Sequence, residues 1–268
     1  MLRNTASTVQ HCSRTIIISL LCAALPCVAA GEDTRVVLDA FVAKASPALD
    51  YARKNDSGDR TVTIDETAAT SRFKANPRIE LEHRLFKNIA IEAHISHVDA
   101  DADALAKRTV RFLFFPVRLG LRIPVQIAND RARLRIGWVS ADPLWDGSGL
   151  FAGAEVVQLS AAYTLPGGER HRDSGLALLP SFGTTLRYKV ASDLTARFRG
   201  SYAPGQGKDV TGDIAEVDVG LEWRFGNQML AGLGYRNYRF RLEMLRKDYN
   251  ATASFVAKGP LAYIGYTF

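Results

Sequence analysis

Apolar and polar residues alternate one by one along much of the chain, most regularly between Ile214 and Phe225. Positions 216 to 224 contribute four charges and a glycine at the even places, and the odd places from 215 to 225 are all apolar or aromatic. Because successive side chains of a strand point to opposite faces, this pattern predicts a strand with one apolar and one charged face. A helix would distribute the same residues around its circumference, so a helix is excluded here.

The same alternation recurs in segments along the chain, and counting them gives about ten strands, each near the 9–11 residues that cross a bilayer. Short turns at 86–88, 190–193 and 225–227 separate several of them and all fall at one end of the predicted sheet. Longer polar stretches fall at the other end, which is the arrangement of a transmembrane barrel. The sequence therefore predicts an all-β fold, a closed antiparallel transmembrane β-barrel of about ten strands, within a range of about 8–12.

Four stretches are predicted to be turns, loops or irregular segments. Val98–Ala104 is predicted to be an acidic loop, Asn129–Asp130 a turn, and Ala203–Asp213 a loop. Residues 140–177 are predicted to form either a long loop with internal structure or an added strand. The acidic stretch lacks the glycine and the closing glutamate of a calcium-binding loop, so no metal site is predicted. No cofactor motif is present either.

A phase change near Asn237 is the one break inside an otherwise regular strand. Met229 to Tyr235 place apolar residues at odd positions, whereas Tyr238, Phe240 and Leu242 place them at even positions. A β-bulge would keep both sets on one face, so the sequence predicts a bulge here and an outward, lipid-facing position for the second set.

The first thirty residues have the features of a cleavable export signal. Arg3 and Arg14 are basic, Thr15–Ala24 is an apolar stretch too short to span a membrane, and small residues precede Gly31. The predicted organisation is a signal peptide at 1–30, cleaved after Ala30, and one barrel domain at 31–268. The three cysteines all lie inside the predicted signal, so the exported chain would have no disulfide.

Charge does not point to nucleic acid as a partner. The formal charge is +6, and removal of two arginines with the signal leaves +4. These charges alternate with apolar residues instead of clustering, and the chain is predicted to be exported. No nucleic-acid partner is predicted.

With the apolar faces directed to lipid, the charged faces line the barrel lumen. The predicted lumen charges are Arg118, Arg122, Arg133, Arg135, Arg197, Arg199, Glu216, Asp218 and Glu222. Long arginines can cross the lumen of a barrel this narrow, and burying their charges singly would cost several kcal/mol each. The sequence therefore favours a salt-bridged interior, with Arg197 and Arg199 paired to acids of the neighbouring strand. A narrow, anion-preferring channel is the alternative.

Glu92, His94 and Ser96 share one face of a predicted strand and are the only candidates for catalysis. A serine with a histidine and a carboxylate is the arrangement of nucleophilic hydrolysis, and the His-x-Ser pair resembles that of outer-membrane lipid A deacylases. Residues at i and i+2 are about 7 Å apart, and the shared face is the predicted lumen, away from lipid. Polar lining is favoured, so no catalytic site is predicted and the hydrolase is an alternative.

The chain ends in YIGYTF, with Ile264, Tyr266 and Phe268 on one face. This end resembles the C-terminal signal of Gram-negative outer-membrane barrels, which implies recognition by the barrel-assembly machinery. Residues 178–268 are also similar to small outer-membrane barrels of unassigned function, in LRYKV/DLTARFRG, GLEWRFGNQMLAGLGYR and KGPLAYIGYTF.

The resemblance implies a bacterial outer-membrane protein exported by the general secretory pathway, monomeric and in contact with membrane lipid and lipopolysaccharide. The predicted role is structural or that of a narrow channel. The alternatives are a lipid A-modifying hydrolase and a barrel whose surface loops bind or adhere.

Overall fold

The computed structural model describes residues 34–53, 60–64, 73–105, 110–112, 115–117, 122–164, 170–206, 210–226 and 228–268 apart from 246–248. Thirteen strands occur in these residues: β1 (Thr34–Arg53), β2 (Arg60–Ile64), β3 (Phe73–Phe86), β4 (Ile89–Leu105), β5 (Val110–Phe112), β6 (Phe115–Val117), β7 (Arg122–Val139), β8 (Gly149–Thr164), β9 (Arg170–Lys189), β10 (Leu194–Gln206), β11 (Val210–Phe225), β12 (Met229–Leu245) and β13 (Tyr249–Thr267).

Ten of these strands form a closed antiparallel barrel, which confirms the predicted fold class. Each long strand pairs with the next long strand along the chain, and β13 pairs with β1 to close the wall. β2 adds to the end of β1, where Leu49 lies opposite Ile64. β5 and β6 form a separate two-stranded hairpin. Closure leaves the barrel wall without a free sheet edge.

The two ends of the barrel differ in their connections. One end, here called the turn rim, carries the connections at 87–88, 140–148, 190–193 and 226–228, together with Thr34 and the C-terminus. The amide of Phe268 donates to the carbonyl of Thr34 at 2.8 Å, which fastens that terminus to β1. The opposite end, the loop rim, carries the remaining connections, of which the longest run from 54 to 72 and from 106 to 121.

The strands are longer than the sequence predicted, from 13 residues in β10 to 20 in β1 and β9. Three predicted interruptions are wrong for this reason. Val98–Ala104 continues β4, Asn129–Asp130 lies inside β7, and Ala203–Asp213 belongs to β10 and β11 except for 207–209. Residues 140–177 contain β8 and the first part of β9.

The predicted bulge near Asn237 is also wrong. The register of β12 with both neighbouring strands runs without a shift through Val217, Asn237 and Lys258. Tyr238, Phe240 and Leu242 consequently point inward and are buried, not lipid-facing. A register irregularity does occur elsewhere, between Arg84 and Phe86 of β3.

The outer face of the wall is an apolar belt. On β7, for example, Leu134, Ile136 and Trp138 are exposed, while the intervening arginines are buried inside. Exposed aromatic residues cluster toward the turn rim, at Trp138, Tyr188, Trp223, Phe225 and Tyr266, and further along at Tyr202 and Tyr235. No helix within the described part of the chain is long and apolar enough to cross a membrane.

Candidate functional site in the barrel interior

The inward side chains form two successive layers between the rims. Nearer the turn rim lies the ionic layer, which consists of Arg35, Asp39, Arg78, Glu80, Glu82, Glu92, His94, Ser96, Arg131, Arg133, Arg135, Glu155, Arg187, Arg197, Arg199, Glu216, Asp218, Glu222 and Arg236. Nearer the loop rim lies the apolar layer, which consists of Phe41, Ala43, Val98, Ile127, Val157, Leu159, Leu179, Ala203, Ile214, Tyr238, Phe240, Leu242, Phe255 and Ala257. The same buried cluster continues beside the ionic layer through Val37, Leu230, Leu261 and Tyr263. These two layers are the candidate site.

Arg78 is the centre of the ionic layer. Its Nε donates to Asp39 at 2.5 Å, its Nη1 to Glu216 at 2.5 Å, and its Nη2 to Asp218 at 3.0 Å. Arg236 donates hydrogen bonds to two of the same acids, to Asp218 at 2.7 Å and to Asp39 at 3.1 Å, and lies 3.4 Å from Glu216. Strands from opposite sides of the barrel are thereby joined through its middle.

Glu216 extends this network to the β7 side of the lumen. Arg131 and Arg133 donate to its Oε2 at 3.2 and 3.5 Å. Both arginines also bind Glu155 of β8, Arg133 at 2.8 Å. With Arg78 and Arg236, four arginines therefore lie within ion-pair distance of Glu216.

Three further pairs cross the lumen, whereas Arg135 and Glu92 join the neighbouring strands β7 and β4. Arg199 forms a two-pronged pair with Glu80 of β3. Toward the turn rim, Arg35 binds Glu222 at 2.5 Å and Arg187 binds Glu82 at 2.6 Å. The expectation that Arg197 and Arg199 pair with acids of β11 is therefore wrong.

Arg197 has a different contact. Its guanidinium carbon lies 4.1 Å from the centre of the Tyr263 ring, a cation–π geometry. A narrow barrel brings distant strands within the reach of an arginine, which is why Arg199 of β10 can pair with Glu80 of β3.

The three catalytic candidates do not form a triad. His94 Nε2 lies 3.3 Å from Ser96 Oγ, but Glu92 accepts from Arg135 Nη2 at 2.6 Å and contributes nothing to the histidine. His94 Nδ1, where the third member of a triad would bind, has no hydrogen-bond partner among the described residues. All three side chains are buried inside the barrel, with at most 7% of their surface exposed.

The apolar layer lies between the ionic layer and the loop rim. Phe240 and Phe255 are fully buried, with ring centres 5.2 Å apart, and Tyr238 packs on Phe255 at 5.4 Å. At the boundary between the layers, Asn129 donates to the hydroxyl of Tyr238 at 2.9 Å. Arg131 lies over the same tyrosine ring at 4.8 Å.

Two predicted lumen charges lie outside this description. Arg118 is not among the described residues, and Arg122 begins β7 without a described side chain. The predicted assembly residues Ile264, Tyr266 and Phe268 lie at the turn-rim end on the exposed face, where the rings of the last two are 4.8 Å apart. No group of three or more His, Cys, Asp or Glu in the described part of the chain could hold a metal ion.

Beyond the predicted lumen charges, the ionic layer includes Glu155 and Arg236, which no predicted polar strand face contained. Glu155 falls in residues 140–177, for which the sequence left a long loop and an added strand as alternatives. Arg236 follows Met229–Tyr235 in unbroken alternation, so its inward position could have been read from the sequence had no bulge been assumed.

No family model matches the chain, and no curated protein matches it. Among solved structures, the outer membrane protease OmpT from Escherichia coli is similar with a TM-score of 0.54 at 13% identity, over 87% of this chain and 97% of that chain. The translocator domain of the autotransporter NalP from Neisseria meningitidis has a TM-score of 0.45 at 12% identity, over 98% and 100%. At 13% identity the similarity to OmpT shows the fold alone, that of an outer-membrane β-barrel.

Proposed function

We propose that this protein is an outer-membrane barrel with a sealed interior and a structural role in the membrane, and that it does not conduct. The observation that carries the proposal is the stacking of an ion-paired layer on an apolar layer. Arg78, Asp218 and Glu216 are at most 4% exposed, and Phe240 and Phe255 are not exposed at all. Side chains that exclude water so completely leave no hydrated path at either layer.

The cost of moving an ion explains why the two layers together oppose conduction. An ion in the ionic layer would have to displace a partner from pairs that are already satisfied at 2.5–3.0 Å. In the apolar layer it would lose its hydration without gaining ligands, which costs several kcal/mol even after relaxation. A channel needs one continuous polar path, and the apolar layer interrupts it.

The apolar belt with its exposed aromatic residues supports placement in the outer membrane, because the outer surface of a transmembrane barrel has this composition. We propose export with cleavage after Ala30, insertion by the barrel-assembly machinery through the C-terminal Phe268, and contact with lipid and lipopolysaccharide as a monomer. Membrane-extracted protein should migrate differently on gels before and after heating. Recovery of the mature chain in the soluble periplasmic fraction would contradict this placement.

Conductance measurement tests the sealed interior directly. Refolded protein inserted into a planar bilayer should show no single-channel steps, whereas a wide porin reconstituted in the same way should. Asp218→Ala should also be silent, because Asp39 still holds Arg78 and Arg236 and the apolar layer is unchanged. Stable anion-selective steps from the wild-type protein would reject the seal and favour the narrow channel.

A hydrolase is the second candidate, because His94 Nε2 and Ser96 Oγ lie 3.3 Å apart. Against it stand the burial of both side chains in the lumen and the engagement of Glu92 by Arg135. We expect the lipid A mass profile of cells to be the same with and without the protein. A mass shift on expression that is lost in Ser96→Ala would establish the hydrolase instead.

A binding role at the loop rim is the alternative that a sealed interior leaves open. The two longest connections, 54–72 and 106–121, both lie there, and each includes short strands outside the barrel wall. Deletion of 106–121 should then abolish any surface binding while heat-modifiable folding persists.

A further inference from the structure

A groove of about 550 Å³ lies on the outer face of the wall, where β11, β12, β13 and β1 are neighbours. Ala40, Ala262 and Ala231 form its floor. In the strand register Ala231 lies between Ile264 of β13 and Trp223 of β11, which form its sides at that level. The outward-facing side chains that line it are alanine, leucine, isoleucine and tryptophan, so the groove is part of the apolar belt.

The groove runs nearly parallel to the barrel axis. Ala231 lies two residues nearer to the turn rim than Leu233, which is the partner of Ala262. A row of paired residues followed from Thr34 through β3 and around the barrel returns to β1 at Ser46, so each row descends toward the turn rim from β1 to β12. Because the strands of such a barrel tilt by about 35–45° from its axis, a step across to the next strand and a step of two residues down it deviate to opposite sides. Their sum follows the axis.

The turn-rim end of the groove lies beside a cation. Arg224 follows Trp223, one residue before β11 ends, and its side chain is exposed. Its amide donates to the carbonyl of Asp193 at 2.8 Å, but its guanidinium forms no ion pair within the described part of the chain. Guanidinium groups bind phosphate through parallel hydrogen bonds, and tryptophan is enriched at the level of lipid headgroups.

We propose that this groove binds one acyl chain of a phospholipid in the periplasmic leaflet, with the phosphate near Arg224. The turn rim is the periplasmic side, because the short connections of a transmembrane barrel lie there. An acyl chain in a bilayer lies on average along the membrane normal, which is also the direction of the groove. The proposal rests on the membrane placement of the apolar belt and adds the lipid chemistry that one part of the belt recognises.

A second copy of the barrel fits the groove less well. The ridges of side chains on a barrel wall follow its strands, which tilt by about 35–45° from the barrel axis. Two upright barrels in one membrane would therefore lay these ridges across the groove instead of along it. A single flexible chain can follow the groove from Ala40 to Ala231.

Tryptophan quenching is the test, because the protein has three tryptophans and one of them flanks the groove. Trp138→Phe combined with Trp145→Phe leaves Trp223 as the only tryptophan. The refolded full barrel in detergent is titrated with phosphatidylglycerol that carries bromine on its acyl chains, since bromine quenches a tryptophan that it contacts. We expect the fluorescence of Trp223 to fall along a single-site saturation curve at low lipid concentration.

Trp138 provides the matched control, because it is exposed on the outer face of β7, away from the groove. With Trp145→Phe and Trp223→Phe it becomes the only tryptophan. It should need about tenfold more brominated lipid for half-quenching than Trp223 does, which corresponds to about 1.4 kcal/mol of binding free energy.

Two alanine variants locate the lipid. Ala231→Leu fills the floor between Ile264 and Trp223 and should raise the half-quenching concentration of Trp223 to that of Trp138. Ala154→Leu makes the same change at an exposed alanine on the outer face of β8 and should leave the Trp223 curve unchanged.

Arg224→Gln tests the headgroup. It should raise the half-quenching concentration of brominated phosphatidylglycerol by about threefold to fivefold, the range expected for an exposed ion pair. Titration with brominated diacylglycerol, which has no phosphate, should give the same Trp223 curve with and without Arg224→Gln. A change of equal size for both lipids would reject the phosphate contact.

Equal half-quenching of Trp223 and Trp138 would overturn the site, as would a Trp223 curve that Ala231→Leu does not change. Light scattering of the same samples detects the other occupant. A wild-type dimer that Ala231→Leu converts to a monomer would assign the groove to a second copy and reject the lipid. Ala231→Leu should keep heat-modifiable migration and the absence of conductance, so failure of the groove alone leaves the proposed function intact, whereas a soluble periplasmic protein would contradict both.

Discussion

The two layers of the barrel interior both fill the lumen, but with different kinds of side chain. In the ionic layer, cross-lumen pairs such as Arg199–Glu80 fill the space with long side chains that must all be matched in charge. In the apolar layer, rings such as Phe240 and Phe255 fill it by contact alone. The stability of the ionic layer depends on charged partners, and the stability of the apolar layer depends on the volume that its side chains fill. Substitutions should therefore affect them by different rules.

The polarity of the outer face changes at the same level along the barrel as the polarity of the interior. On β12, the residues outside the ionic layer are apolar up to Tyr235, and those outside the apolar layer are Asn237, Arg239 and Arg241, all exposed. The strand passes from an apolar exterior and a charged interior to a polar exterior and an apolar interior. We infer that the hydrocarbon boundary lies near this change, so the ionic layer is the part of the interior that the bilayer surrounds.

Loss of one acid from the ionic layer should have the largest effect. Glu216→Ala leaves four arginines without a shared carboxylate, and breaking a buried pair costs about 3–5 kcal/mol in the free energy of unfolding. Urea unfolding of the protein in lipid vesicles measures this change in the free energy of unfolding. Asp213→Ala is the control, because its partner Arg239 is exposed, and it should cost less than about 1 kcal/mol. Equal effects for the two variants would show that the lumen is hydrated.

The same reversal explains how much of the fold the sequence could reveal. Alternation predicted strands correctly wherever lipid lies outside, as at Ile214–Phe225 and in the C-terminal strand. Near the loop rim the apolar residues change sides, so a fixed assignment of the apolar face to lipid produced a bulge at Asn237 and a loop at Val98–Ala104. The strand count was correct although several strand boundaries were not.

Truncation of an aromatic ring in the apolar layer should lower the free energy of unfolding slightly less than the loss of Glu216. Phe240→Ala removes a fully buried ring from a cluster with Phe255, and Phe→Ala changes in well-packed interiors cost about 3 kcal/mol or more. Phe240→Leu, which keeps much of the volume, should cost about 1 kcal/mol. If the two variants are equally destabilised, volume does not govern this layer. The same vesicle unfolding assay provides both values.

A substitution that keeps the charge of an arginine but loses the planar shape of its guanidinium should still destabilise the ionic layer. Arg199→Lys keeps the charge but cannot form both bonds to Glu80, and the loss of one charge-assisted bond is worth about 2 kcal/mol. Arg239→Lys, at the exposed pair with Asp213, should change stability by less than about 0.5 kcal/mol. A neutral Arg199→Lys would mean that charge alone, and not the planar fork, holds this layer.

The members of the candidate site could be named from the sequence more readily than their partners. Polar-face residues such as Arg199 and Asp218 were recognised by alternation, which depends only on position within a strand. Pairing depends on barrel diameter and on strand stagger, which fix the distance from β10 to β3 across the lumen. No local pattern encodes that distance, and so Glu80 could not have been identified as the partner of Arg199.

The smallest expected effect lies at the boundary between the layers, at Tyr238. Its ring belongs to the apolar layer and its hydroxyl accepts from Asn129 at 2.9 Å, so Tyr238→Phe removes the bond while keeping the ring and its contact with Arg131. We expect a loss of about 1 kcal/mol, the net value of one neutral hydrogen bond. Combining it with Asn129→Ala in a double-mutant cycle should give a coupling energy of similar size. A coupling energy near zero would mean that this hydrogen bond adds nothing to the boundary, and that the contact of Arg131 with the Tyr238 ring and side-chain packing hold the two layers together there.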